Sequence, residues 1–348
     1  MHLTPPLSCA SGLPVSAART QQPRLLKRAV AAAAFGLAVL TGMGLSAEAS
    51  AQGAYPARTV KIIVPVTTGG PSDLVARMVG DKLAGTLGKP VIIDNRPGAS
   101  QVVGAQVVAK SDPDGYTLLQ AAANMAINPI LMNDLPFDTL RDFAPVSLTH
   151  LTPYVFVVSG QSPIRSVADL LKFIRDNPGK VTYATTGQGS PQQLATLLLG
   201  QMQSLPAMTE VQYKGSSAAH PDLIAGRVDF MIDPLAASAP HIRSGNLRAL
   251  AVTTPARYPS FPDVATAIEA GVPGYDFASW GGVFAPAGTP RDVVMRLNGD
   301  LGRILASDDI RRRFGDMGLV PKGSSPEEFG AFLVAEMNRW KAVLGARK

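Results

Sequence analysis

The chain of 348 residues holds a single cysteine, Cys9, near its start. Everything after it is therefore without a disulfide framework, a thiol nucleophile or a cysteine-ligated metal. Histidine is almost as scarce. Of four in the chain, His150, His220 and His241 show no metal-ligand spacing, so no metal and no cofactor is expected. The pair Gly187 and Gly189 lacks the third glycine of a dinucleotide fingerprint, and Ser190 does not sit in a nucleophile elbow. An enzyme reading finds no catalytic constellation. Aromatic residues are 6% and charged residues 17% of the chain, against 46% hydrophobic, a balance that fits a globular protein with a sizeable core.

Excess charge is also missing. Residues 1–51 hold four of the 32 basic and one of the 26 acidic side chains, which leaves 28 and 25 in the remainder, net +3. That is too little to point to nucleic acid. The run Arg311-Arg312-Arg313 lies beside Asp308 and Asp309 and reads as a solvated helix face. The first 51 residues are a separate object: Arg19, Arg24, Lys27 and Arg28 precede an apolar run over 29–45, with small residues at Ala47, Ala49 and Ala51. This is the pattern of a secretory signal peptide, with cleavage expected after Ala49 or Ala51; an uncleaved anchor is the alternative. Cys9 precedes the apolar run, which rejects a lipoprotein.

From Tyr55 onward, short β-branched runs alternate with amphipathic segments, as in α/β proteins with largely parallel strands. Strands are expected at 60–66, 91–94, 116–120, 154–159, 181–185, 210–212, 229–232 and 247–253. Helices are expected at 73–87, 102–110 and 192–203 and in three stretches between 290 and 344. A polar turn is expected around Asn124 and Asn128-Pro129. Ser166 and Asp169 form a capping box ahead of Leu170, Leu171 and Ile174.

The first of these strands runs into Gly69-Gly70 and then opens a helix that carries Leu74, Val75, Met78, Val79 and Leu83 on one face. The glycines let a ligand approach the main chain closely. The helix start adds free N–H groups and a partial positive charge, a setting that favours a carboxylate or a phosphate. The same arrangement recurs at residues 187–190. Two α/β units, two chain crossings and two such loops facing a shared cleft make a venus-flytrap architecture. Residues 52–152 with 279–348 would form one lobe and 153–278 the other.

Short motifs then follow one another in order. They are Tyr55-Pro56, Val64-Pro65 with Gly69-Gly70 and Asp73, Asp94-Asn95-Arg96-Pro97-Gly98, Pro113-Asp114-Gly115-Tyr116, Ala126-Ile127-Asn128-Pro129 and Asp142-Phe143-Ala144-Pro145. Further on stand Tyr213-Lys214-Gly215, Gly226-Arg227-Val228-Asp229, Leu247-Arg248-Ala249-Leu250-Ala251, Gly274-Tyr275 and Ala285-Pro286-Ala287-Gly288-Thr289-Pro290. Together they resemble the periplasmic solute-binding proteins of the tripartite tricarboxylate transporter family, often called the Bug family. The resemblance implies an α/β fold of the two-lobed, type II-like periplasmic binding class. It implies a monomeric receptor in the periplasm that closes on a small organic carboxylate and passes it to membrane transporter subunits, without catalysis. A membrane sensor kinase is the alternative recipient, and a secreted α/β enzyme is the third reading.

The resemblance assigns the grip on the ligand carboxylate to the two glycine-containing loops. The candidate ligand-binding residues are Thr68, Gly69, Gly70, Ser72, Asp73, Asn124, Gly187, Gln188, Gly189, Ser190 and Asp233. Several carry a second reading. Asp73 and Ser190 also suit helix caps, Asn124 suits a self-satisfied turn, and Asp233 before Pro234 reads first as a cap. Trp280 reads as packing. Thr67 and Thr68 stand where family members commonly have two prolines, Pro71 removes a backbone donor, and Met125 and Gln193 replace common histidines. The identity of the ligand does not carry over.

Overall fold

The computed structural model describes residues 55–345; the signal peptide expected at 1–51 lies outside them. In chain order the strands are β1 (Val60–Val64), β2 (Val91–Asn95), β3 (Thr117–Ala122), β4 (Phe143–Ser159), β5 (Thr182–Thr185), β6 (Thr209–Gln212), β7 (Phe230–Pro234), β8 (Leu247–Val252), β9 (Ala278–Pro286) and β10 (Val320–Pro321). The helices are α1 (Pro71–Leu87), α2 (Val102–Ala109), α3 (Asn124–Leu131), α4 (Val167–Asp176), α5 (Pro191–Met202), α6 (Ser216–Ile224), α7 (Leu235–Arg243), α8 (Arg291–Leu305), α9 (Asp308–Asp316) and α10 (Pro326–Gly345). None of the described helices is long and apolar enough to cross a membrane.

The strands follow the order β2-β1-β3-β9-β4-β7-β5-β6, with β8 and β10 also paired to β4. β1 is parallel to β2 and β3, and β5 is parallel to β6 and β7. These are βαβ units whose crossover helices lie on the sheet faces. β1 ends two residues earlier than its apolar pattern suggests, because Pro65 has no N–H to continue the ladder. Pro71 opens α1 and Gly88, at φ 65°, closes it, each where its backbone preference is most useful.

β4 is the long element between the parallel units. Its first part pairs with β9 down to Pro153 opposite Ala278, and from Tyr154 it pairs with β7 and β8 instead. Sequence reasoning expected only the portion after Pro153, since prolines at 145 and 153 argue against a strand. The structure accommodates Pro145 at a shift in register beside β9. A second difference concerns residues 124–131, which form α3 rather than a polar turn. Pro129 lies inside this helix and frees the carbonyl of Met125, four residues back; Thr139 Oγ1 donates to that carbonyl at 3.0 Å. A side chain remote in sequence thus replaces the bond that the proline removes.

Three apolar clusters hold the sheet and helices together. Val60, Ile62 and Val64 pack with Val79, Leu83, Leu297, Leu301 and Phe314 on one face. Val155, Val157, Met231, Leu223 and Leu235 pack on a face of the second unit. The largest runs from Ile63, Leu119 and Phe284 through Trp280, Trp340 and Tyr275 to Phe156, Ile232 and Leu198. Full burial of one such side chain contributes about 1.5–3 kcal/mol, so the junction along β4 and β9 is as well supported as either end. Gly281 and Gly282 of β9 make this packing possible. A Cβ at 281 would lie 2.2 Å from the His150 ring, and one at 282 would lie 2.3 Å from Phe329.

Candidate functional site

The loop after β1 is shaped by one buried acid. Asp73, in the first turn of α1, accepts the Gly69 N–H on Oδ2 at 2.9 Å and Asn95 Nδ2 on Oδ1 at 2.9 Å. Arg77, one turn later, donates to the same carboxylate and to Asn95 Oδ1. Burial alone would raise the Asp73 pKa, but the bonds from Arg77, Gly69 and Asn95 hold it below the ordinary carboxylate value. Asn95 also donates to the Val66 carbonyl and accepts from Thr68 Oγ1. The loop is thus tied to the end of β2. Gly69 has φ +91°, a conformation that suits glycine, and Gly70 is the N-cap residue of α1. Thr68 and Gly69 are exposed, Gly70 and Ser72 are half-buried, and Asp73 is fully buried.

The second loop is built by a different set of bonds. Gly187 N–H donates to Thr185 Oγ1 and Ser190 N–H to the Gly187 carbonyl. Ser190 caps α5 by accepting from Gln193 N at 3.3 Å. Gly189 N–H donates to Gln193 Oε1 at 2.8 Å, while Gln193 Nε2 and Thr185 Oγ1 both donate to Glu210. Glu210 and Gln193 therefore form a clamp beneath the loop. Gln188 stands exposed at its tip.

α3 joins the two regions. Asn124, Ile127, Asn128 and Leu131 have the spacing that shares one helix face. Asn124 Oδ1 accepts from Gln101 Nε2 at 2.8 Å, and Asn128 Nδ2 donates to the Ser100 carbonyl at 2.9 Å. On the same face, Gly189 comes so close that a Cβ there would lie 3.0 Å from Leu131 and 3.9 Å from Ile127. The turn at 99–101 is strained, since Ala99, Ser100 and Gln101 have φ of 44°, 52° and 78°. Left-handed backbone costs each non-glycine residue about 1–2 kcal/mol. The helix after the turn presses on the first loop, because a Cβ at Gly104 would lie 2.7 Å from Pro65. The first loop thus adjoins the helix that follows the strained turn, the turn adjoins the first part of α3, and the second loop packs on the last turn of the same helix face.

Asp233 lies apart from these contacts. It is fully buried and takes three donors, with Ser216 Oγ at 2.5 Å, Ser238 Oγ at 2.7 Å and a bond to His220 Nε2 at 2.9 Å. Its carboxylate joins the end of β7 to α6 and α7, with His241 edge-on to His220 at 4.7 Å. Trp280 is buried, and its Nε1 donates to Glu336. Asn95, Arg77, Gln101 and Glu210 were absent from the sequence-based set. Asn95 falls inside the Asp94-to-Gly98 motif, whereas nothing local marks Gln101 or Glu210. A cavity of about 610 Å³ beside Pro153, Tyr258, Arg311 and Val320 contains none of the candidate residues.

A mixed α/β body with one strand-to-helix loop from each of two parallel units, the second packed on α3 and the first on the helix after the strained turn, fits a two-lobed solute-binding receptor. The chain belongs to the tripartite tricarboxylate transporter family receptor group, whose family model matches residues 75–348. Protein BugT of Bordetella pertussis is 36% identical over 314 residues, covering 90% of this chain and 95% of BugT. The solved structure of R. palustris Rpa4515 with adipate is 38% identical, with a TM-score of 0.71, covering 83% of this chain and 97% of that one. MatC from Rhodopseudomonas palustris with bound malate is 33% identical, with a TM-score of 0.67, covering 83% of this chain and 99% of that one. The family consists of periplasmic solute-binding receptors.

Proposed function

We propose that the chain captures a small carboxylate between the loop 68–73 and the loop 187–190 and delivers it to membrane transporter subunits of the tripartite tricarboxylate type. The observation that carries this reading is the approach of Gly189 to Ile127 and Leu131 on the α3 face that also holds Gln101 and Ser100. It ties the second loop to the helix that also braces the turn at 99–101, so that groups from several elements border the proposed cleft. Adipate and malate in the related structures support the carboxylate class. Arg77 is already engaged by Asp73, so the anion is met by N–H groups, hydroxyls and bridging water. Neutral dipoles of this kind satisfy a carboxylate without leaving a buried charge unpaired.

Residues 52–152 with 279–348 and residues 153–278 serve as the two lobes, a division supported by the change of β4 pairing between Pro153 and Tyr154. Thr68, Gly70, Ser72, Asn124 and Gln188 face the ligand, while Asp73, Gly69, Gly187, Gly189 and Ser190 shape the loops around it, and Asp233 braces the end of β7 away from them. The leader at 1–51 directs a monomeric receptor to the periplasm, and the protein binds without turnover. Micromolar affinity corresponds to about −8 kcal/mol. A thermal-shift screen of residues 52–348 against mono-, di- and tricarboxylates, aromatic acids and amino acids tests the reading. Stabilisation by at least one acid, without its conversion, is the expected result; no response across the panel would overturn it.

A further inference from the structure

Among the described residues, two buried side-chain polar atoms lack a hydrogen-bond partner, Gln101 Oε1 and Gln120 Oε1. Gln120 lies in the sheet interior, 1% exposed, with its amide nitrogen on Thr149. Gln101 is placed differently. It ends the strained turn, and its Nε2 is fixed on Asn124 at the start of α3. That helix face also carries Gly189 of the second loop. A buried acceptor left unpaired is costly, and three consecutive non-glycine residues with positive φ add to the cost. Unpaired groups and strained backbone kept together beside a binding loop point to a role in binding.

We infer that Gln101 reads the ligand, its carboxamide oxygen accepting a hydrogen bond from a hydroxyl or ammonium group carried by the bound acid. This rests on the carboxylate-receptor reading and narrows it. An acceptor cannot serve a second carboxylate, because two acceptors repel, whereas a hydroxyl or ammonium substituent supplies the missing donor. In this structure Asn124 Oδ1 takes the Gln101 amide nitrogen, and the oxygen is the atom left to be satisfied. The preferred solutes are therefore hydroxy or amino acids, not their unsubstituted parents.

Isothermal titration of the whole secreted chain with matched acids tests this, using succinate with malate, propionate with lactate, and benzoate with 4-hydroxybenzoate. In the tightest-binding pair, the hydroxylated member should bind about tenfold more tightly, as for one added hydrogen bond. Gln101→Met, which keeps length without an acceptor, should abolish the ratio. Equal affinities within every pair in the wild-type protein would overturn the inference and leave the receptor reading standing, and that comparison holds even if the variant fails to fold. A ratio unchanged in Gln101→Met would overturn it as well. Binding of no acid at all would remove the receptor reading, and this inference with it.

Discussion

Asn95 donates from Nδ2 to Oδ1 of Asp73 at 2.9 Å, fastening the end of β2 to the first turn of α1. The other Asp73 oxygen holds the Gly69 N–H, so a residue first considered for ligand contact acts as the internal frame of the loop. Asp73→Ala should cost about 2–3 kcal/mol by leaving the Asn95 and Gly69 donors unpaired, measured by chemical denaturation. The pH dependence has a definite sign. The folded-state pKa is lowered, so the stabilisation is fully present above the unfolded value of about 3.9 and is lost as the pH falls through the lower folded value. Asp73→Asn should flatten the stability curve below about pH 4.

His150 gives a second acid-sensitive contribution, in a higher window. Burial pushes its pKa down from 6.5 to about 4, with Gly281 and Phe314 against the ring. The unfolded chain takes up this proton below 6.5, but the folded chain does not until about pH 4. Stabilisation is therefore complete above 6.5 and declines as the pH falls toward and through about 4, by roughly 1.4 kcal/mol per pH unit and about 3 kcal/mol in total. In His150→Gln that slope should disappear, as read from denaturation midpoints across the window.

The two glycines of the first loop separate structure from ligand approach. Gly69 has φ +91°, so Gly69→Ala should destabilise the protein by about 1 kcal/mol even without ligand. Gly70 has φ −76°, and the nearest atom to an added Cβ is the Thr67 carbonyl oxygen at 3.8 Å. Gly70→Ala should leave the melting temperature of the free protein unchanged while weakening binding at least about tenfold. Unchanged affinity in this variant would show that no ligand passes close to Gly70.

Asp233→Ala should act on stability more than on recognition. Removing the carboxylate leaves Ser216, His220 and Ser238 facing a vacated buried position, at a cost of about 3 kcal/mol. Urea unfolding with and without the best-binding acid would test this, with a large drop in stability expected and a much smaller change in affinity.

The alternation of strands and amphipathic helices was legible in the sequence because each βαβ unit is a local pattern, and both glycine loops fall where that pattern places them. The first half of β4 was not legible. Pro145 and Pro153 are tolerated there by pairing with β9, more than a hundred residues away. α3 was hidden in the same way, since its internal Pro129 depends on Thr139. In the candidate site, side chains at loops and caps could be named from their positions. Gln101 could not, because three consecutive non-glycine residues with positive φ contradict local preference and are held by Asn124 and Asn128 from a later element.

The chain contains two tryptophans, and both place their indole N–H on the same oxygen of Glu336, Trp280 at 3.2 Å and Trp340 at 3.0 Å. Its intrinsic fluorescence is therefore a report from one address, the buried seam where β9 meets α10. Emission measured while an acid is titrated in describes that seam rather than the glycine loops. A spectral change would be a signal of movement transmitted through the protein, and a silent titration would not by itself mean an empty site.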